Sequence, residues 1–99
     1  MLIVAGHFDV DPAEREEFIA DRVEITRASR AEPGCITYAF SADPIEPGRV
    51  LLFERWESKP ALAAHLEGLR SAPPAAHDIQ ILGAEIHQYE ISQVGAVGS

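Results

Sequence analysis

Glu54 and Trp56 stand two apart in the run Leu52-Phe53-Glu54-Arg55-Trp56-Glu57-Ser58. In an extended segment this spacing points both side chains to one side, together with Leu52. A carboxylate among apolar neighbours is destabilised in its charged form unless it is hydrogen-bonded. Its pKa then rises, which is the condition a general base near neutral pH needs. The same placement also suits a structural role, with Glu54 anchoring a backbone amide or an interface and Trp56 in the core. His65 lies on the border of an apolar helical stripe, where an imidazole can face a pocket and titrate near neutral pH. His77 follows a Pro73-Pro74 break, in the kind of loop that often rims a site. Together the two histidines suit a polar head group or the movement of a proton, and each also suits a plain structural or surface role. His7 and His87 fall on outer strands.

Other chemistries lack their residues. The 4 histidines form neither an H-x-H nor an i, i+4 pair, and Cys35 is the single cysteine, so no metal site and no intrachain disulfide are expected. A lone cysteine reads as a small buried hydrophobe. No Gly-rich strand-to-helix fingerprint marks a nucleotide or flavin site, and no nucleophile elbow marks a hydrolase. The formal charge of -8, from 16 acidic against 8 basic side chains, repels a phosphate backbone and an anionic membrane surface, so no nucleic-acid or membrane partner is expected. No apolar run approaches the roughly 20 residues of a membrane-spanning helix. The start, MLIVAGHFDVDP, lacks the pattern of a signal peptide, so a cytoplasmic location is expected.

Periodicity supplies the elements that must position these side chains. Leu2 to Val10 alternates, with Leu2, Val4, Phe8 and Val10 on one face, and reads as a strand. Asp11, Pro12 and Glu14 form a helix start, and the helix is predicted to continue to about Arg30. Its inward stripe is Phe18, Ile19, Val23 and Ile25, interrupted by Thr26 and by Arg22, which is expected to lay its stem along the stripe with its head in water. Glu32, Pro33 and Gly34 break the helix, and Cys35 to Ser41 alternates as a second strand. A turn through Asp43, Pro44, Pro47 and Gly48 leads to a third strand, Arg49 to Glu57, hairpin-paired with the second. Ser58 caps a second helix, about Lys59 to Leu69, with a Leu62, Leu66 and Leu69 stripe and His65 at its edge. A last strand is expected from Asp78 or Ile79 to about Val94, before a flexible Gly and Ser tail over 92–99.

The order βαββαβ predicts an α+β fold of ferredoxin-like type, an antiparallel sheet with both helices on one face, built as a single domain over 1–99. Two helices cover only one face. A chain of 99 residues with 46% apolar content therefore gains from covering the other face with a second copy, and a homodimer is expected.

Three segments carry a family resemblance. They are Ser29-Arg30-Ala31-Glu32-Pro33-Gly34-Cys35 followed by Tyr38, Phe53-Glu54-Arg55-Trp56-Glu57-Ser58, and Ala64-His65-Leu66 followed by His77. In order and spacing they resemble antibiotic biosynthesis monooxygenase domains, and within these the small quinol monooxygenases with their E-x-W-E-S and A-H-L segments. The resemblance implies a dimeric α/β barrel with an apolar pocket between sheet and helices in each subunit. It also implies oxygenation of a small aromatic quinol or phenol by dioxygen without metal, flavin or other cofactor. His65 or Glu54 would be the catalytic base, Trp56 and Tyr38 the aromatic wall that binds substrate, and His77 a polar group at the mouth. The chain holds no asparagine, a working residue of both the aromatic polyketide oxygenases and the haem-degrading relatives. Leu52 stands where the former carry theirs, and His65 where the latter have a tryptophan, which leaves the quinol type. Two other functions fit the same residues, a small-molecule isomerase or tautomerase using the same base, and a non-catalytic ligand-binding dimer.

Overall fold

A computed structural model describes residues 1–98. Four strands, β1 (Leu2–Asp9), β2 (Cys35–Ala42), β3 (Arg49–Trp56) and β4 (Gly83–Glu90), form one sheet in the order β2-β3-β1-β4. Every neighbouring pair is antiparallel. Helices α1 (Arg15–Ala20), α2 (Val23–Arg30) and α3 (Lys59–Arg70) supply the connections. This is the ferredoxin-like α+β arrangement, an open sheet with its helices on one side.

The register puts Leu2 opposite Trp56 and Val4 opposite Glu54, while Tyr38 meets Glu54 and Phe40 meets Leu52. These residues share the helix-facing side because alternate side chains share a face. Two core clusters cover that side. Leu2, Tyr38 and Trp56 pack with Leu62 of α3, and Val10 and Val50 pack with Phe18 of α1. The opposite side carries Leu51 and Phe53, both exposed, with Ala5 and Ala39 flanking Phe53. Exposed Tyr89 sits on the same side, across from Ile3.

The first helix departs from expectation. Pro12–Glu14 is a tight 3-10 turn capped by the Asp11 carboxylate, which accepts from the Ala13 amide at 2.9 Å. The helix that follows is interrupted at Asp21 and Arg22, where the Arg22 amide bonds the Ile19 carbonyl at 3.0 Å, a contact one residue shorter than the α-helical one. The Arg22 head is only partly in water. Its Nη1 donates to the Phe18 carbonyl at 2.9 Å, and the guanidinium lies 3.4 Å from the centre of the Phe18 ring. A buried ring face and a carbonyl thus hold the charge that was expected to be solvated. The change of phase at this break leaves Val23 exposed and buries Ser29.

α3 presents Leu62 and His65 to the sheet, whereas Leu66 and Leu69 are exposed. The expected leucine stripe is therefore rotated, and the histidine predicted at its edge lies at its centre. The last strand is shorter than its β-like composition suggests. It runs only where β1 offers a partner, from Gly83 opposite Asp9 to Glu90 opposite Leu2, because a strand without a neighbour leaves its ladder unpaired. The expected tail carries no helix or strand as far as Gly98, and its last residue, Ser99, lies outside the described residues. No helix among the described residues is long and apolar enough to cross a membrane.

Candidate functional site

His65 sits two turns into α3, whose start is set by Ser58 and Pro60. The Ser58 hydroxyl accepts from the Ala61 amide at 3.3 Å, and Pro in the first turn needs no hydrogen bond for its nitrogen. The turn before β2 comes up against this helix. Gly34 adopts φ 85, and a Cβ there would lie 2.5 Å from the Cβ of Ala61. Only glycine allows that approach. The Gly34 carbonyl accepts from the Glu57 amide at 2.8 Å, which ties the same turn to the end of β3. The result is that Glu32, in this turn, reaches a histidine 33 residues away in sequence.

The imidazole of His65 is 1% exposed and is flanked by two carboxylates. On one side its Nδ1 lies 3.0 Å and 3.2 Å from the two oxygens of Glu32. On the other, Nε2 lies 3.8 Å from Oε1 of Glu54, too far for a hydrogen bond, and it is buried without a partner. The same Glu54 oxygen accepts from the indole Nε1 of Trp56 at 2.9 Å. Aromatic rings close the space. The Trp56 ring lies 4.6 Å from the His65 ring, and Tyr38 meets it edge-on at 5.3 Å.

Burial pushes the Glu54 carboxyl up from its ordinary value, against the indole hydrogen bond and the His65 charge, which pull it down. Burial and the Glu54 charge push the Tyr38 phenol up to about 12, so it stays a hydroxyl at neutral pH. Glu54 is thus easier to protonate than a free carboxyl, the unpartnered nitrogen of His65 offers a lone pair, and the phenol beside them stays neutral.

Of the residues singled out in the sequence, the structure brings together His65, Glu54, Trp56 and Tyr38. His77 is held elsewhere. Its Nδ1 lies 2.9 Å from Oδ1 of Asp21, and its backbone amide donates to Oδ2 at 3.1 Å. That fastens the chain after α3 to the break between α1 and α2. Its pKa is raised by the Asp21 hydrogen bond, and that of Asp21 is lowered by the same contact. Glu32 is the member that sequence reasoning missed. It was legible as part of a helix-ending Glu-Pro-Gly turn within one of the three family-like segments, and no local spacing ties it to a residue on another element. Among the described residues no group of three or more His, Cys, Asp or Glu is placed to hold a metal ion.

The antibiotic biosynthesis monooxygenase family model matches residues 1–73. An uncharacterized protein of Synechocystis, sll1783, is 36% identical over 94 residues, which make up 93% of this chain and 64% of that protein. The chain thus spans less than two thirds of that relative's length. A Bacillus subtilis protein named "Putative monooxygenase YcnE" is 28% identical over 67 residues, 68% of this chain and 70% of that one. In fold, the crystal structure of a "putative antibiotic biosynthesis monooxygenase" from Deinococcus radiodurans superposes with a TM-score of 0.73 at 21% identity, covering 100% of both chains. The match over most of its length, with the strand order and helix placement described above, makes this chain a member of the antibiotic biosynthesis monooxygenase family.

Proposed function

We propose that this protein is a cofactor-independent monooxygenase that oxidises a small aromatic quinol or phenol with dioxygen, with His65 as the base and Glu54 as its partner. The observation that carries this is the buried, unpartnered Nε2 of His65, set among Trp56, Tyr38 and the Glu54 carboxyl. A base whose reactive nitrogen is kept from water keeps its lone pair for a substrate hydroxyl.

For a quinol the balance is simple. Nε2 takes one phenolic proton, and the anion passes one electron to dioxygen, giving a semiquinone and superoxide that combine at a ring carbon. The resulting ring peroxide takes a proton and loses water, leaving a hydroxyquinone. One oxygen atom enters the ring and the other leaves as water, and the two electrons for that water come from the substrate. The protein's part is to remove the proton, hold the anion against Trp56 and Tyr38, and exclude water.

With Trp56 at 0%, Tyr38 at 3% and Glu54 at 5% exposure, the cluster is closed. A neighbouring cleft of about 300 Å³ includes Ile19, Val23, Arg30 and Phe40, and substrate binding on this reading requires the cluster to open. The Phe40 ring lies 5.7 Å from Tyr38 and forms the wall between cleft and cluster. The uncovered side of the sheet, with Leu51, Phe53 and Tyr89, is assigned to a second copy of the chain, because a sheet buried on one face only leaves apolar side chains in water.

The test is oxygen consumption with simple hydroquinones, on protein whose mass in solution is measured by sedimentation. The expected result is a dimer with uptake above background that His65→Ala abolishes. No uptake across a hydroquinone panel would sink the monooxygenase reading. Solvent deuterium entering a keto compound with oxygen absent would show that the same base serves an isomerase instead.

A further inference from the structure

We propose that Glu32 is the positioning residue of this site. Its carboxylate holds the proton of His65 on Nδ1, so that Nε2 faces Glu54 and Trp56 as a lone pair. The proposal rests on His65 being the base named above.

Two features of the geometry set the tautomer independently. First, both oxygens of Glu32 lie within 3.2 Å of Nδ1, and an ionised carboxylate only accepts, so the N–H belongs on Nδ1. Second, Nε2 is buried with no acceptor in reach, and the nearby Glu54 oxygen already accepts from the Trp56 indole. A proton on Nε2 would bury a donor without a partner and would turn the Nδ1 lone pair toward a negative charge. Both consequences are unfavourable in a site buried from solvent. A neutral imidazole has one N–H, so fixing it on Nδ1 leaves Nε2 basic.

Glu32 also answers what becomes of the proton. When Nε2 takes a proton from substrate, the imidazolium forms directly against a carboxylate, which stabilises it. Glu32 is itself 33% exposed and lines a cleft of about 570 Å³ together with Pro33, Gly34, Glu57, Pro60 and Ala64. Nε2 then gives its proton to the ring peroxide, which needs one, while Nδ1–H stays against the Glu32 carboxylate. One proton moves at each step, no electrons move at the imidazole, and the ring returns to its starting neutral tautomer. The turn that brings Glu32 to His65 depends on Gly34 lying against Ala61.

The test reads the imidazole directly and needs no substrate. In protein labelled with 15N-histidine, the His65 signals are those lost in His65→Ala. With the ring neutral they should show a protonated Nδ1 and an unprotonated Nε2. Glu32→Ala should move both signals toward a mixture of tautomers, while Glu32→Gln, whose amide oxygen still accepts from Nδ1–H, should keep the parent pattern. In hydroquinone turnover Glu32→Ala should lower kcat on the order of 10- to 100-fold with little change in KM. A proton found on Nε2 in the parent, or an unchanged pattern in Glu32→Ala, would overturn the proposal, as would a rise in KM with kcat intact. Because the tautomer is read without turnover, failure to consume oxygen counts against the monooxygenase reading, and the NMR result decides the part played by Glu32.

Discussion

Two histidines in this fold make the same contact and are left in opposite conditions by it. His65 and His77 each set Nδ1 about 3 Å from a carboxylate, Glu32 in one case and Asp21 in the other. The ring of His77 is 51% exposed, so water satisfies whatever its other nitrogen requires. The ring of His65 is 1% exposed, and its other nitrogen is shut off from bulk solvent and has no protein partner. A hydrogen bond to a carboxylate therefore says little about function. What separates a clasp from a base is the second nitrogen, and burial decides that.

The strongest way to break the contrast is to take away the wall that keeps His65 dry. Trp56 is fully buried, lies against His65 with the two rings tilted by 36°, and donates to Glu54. Trp56→Ala is expected to cost about 3–5 kcal/mol, read as the fall in unfolding free energy in urea, and to let water reach Nε2. A loss below about 1 kcal/mol would mean the cluster collapses around the gap and that the wall matters less than its burial implies.

Glu54→Gln probes the buried side more gently, since the amide oxygen can still accept from the indole. Burial raises the Glu54 pKa in the folded protein above its ordinary 4.5, so the folded state holds this proton more tightly than the unfolded chain. Stability is therefore lost as pH rises from 4.5 through the raised value, and the deficit persists above it. Glutamine does not titrate. The variant should gain on the parent across that window in urea midpoints measured as a series in pH, and parallel curves would show that burial does not penalise the Glu54 charge.

His77→Ala is expected to have the smallest effect, because the imidazole is half in solvent, which screens the pair even though the Asp21 side chain is only 7% exposed. Its pH dependence has a different form. The His77 pKa is raised above 6.5 and that of Asp21 is lowered below 3.8 by their mutual hydrogen bond. The histidine contribution is complete below 6.5 and is lost as pH rises through the raised value. The carboxylate contribution is complete above 3.8 and is lost as pH falls through the lowered one. The gap between parent and variant should be widest near pH 5 and should close toward alkaline pH, as followed by thermal unfolding. A gap that widens above neutrality would mean that His77 acts in its neutral form.

Much of the sheet was legible from residue order. The alternation in β1 and β3 placed Leu2, Glu54 and Trp56 on the side that the structure buries, since the period of a strand is set by its backbone, whereas in β2 a register shift between Cys35 and Thr37 keeps Tyr38 inside and leaves Ile36 exposed. Helical phase was less legible. The stripe expected from Leu62, Leu66 and Leu69 gave way to Leu62 and His65, because the rotation of α3 follows from where Gly34 lets a turn press on Ala61, a contact between distant segments. The continuous helix expected to Arg30 is broken at Asp21, whose carboxylate serves His77 56 residues away. The length of β4 was likewise set by its neighbour, and not by its own composition.

Residue order alone set the succession of elements, the shared face of Glu54 and Trp56, and a histidine beside the apolar stripe of the second helix. Only the tertiary structure decided that Glu32 would meet His65, that one nitrogen of that ring would be left bare, and that His77 would be engaged elsewhere. The reason is that local periodicity fixes the direction of a side chain along its own element. Solvation and partners depend on which other elements close over it, and that is settled only when segments far apart in the chain pack together.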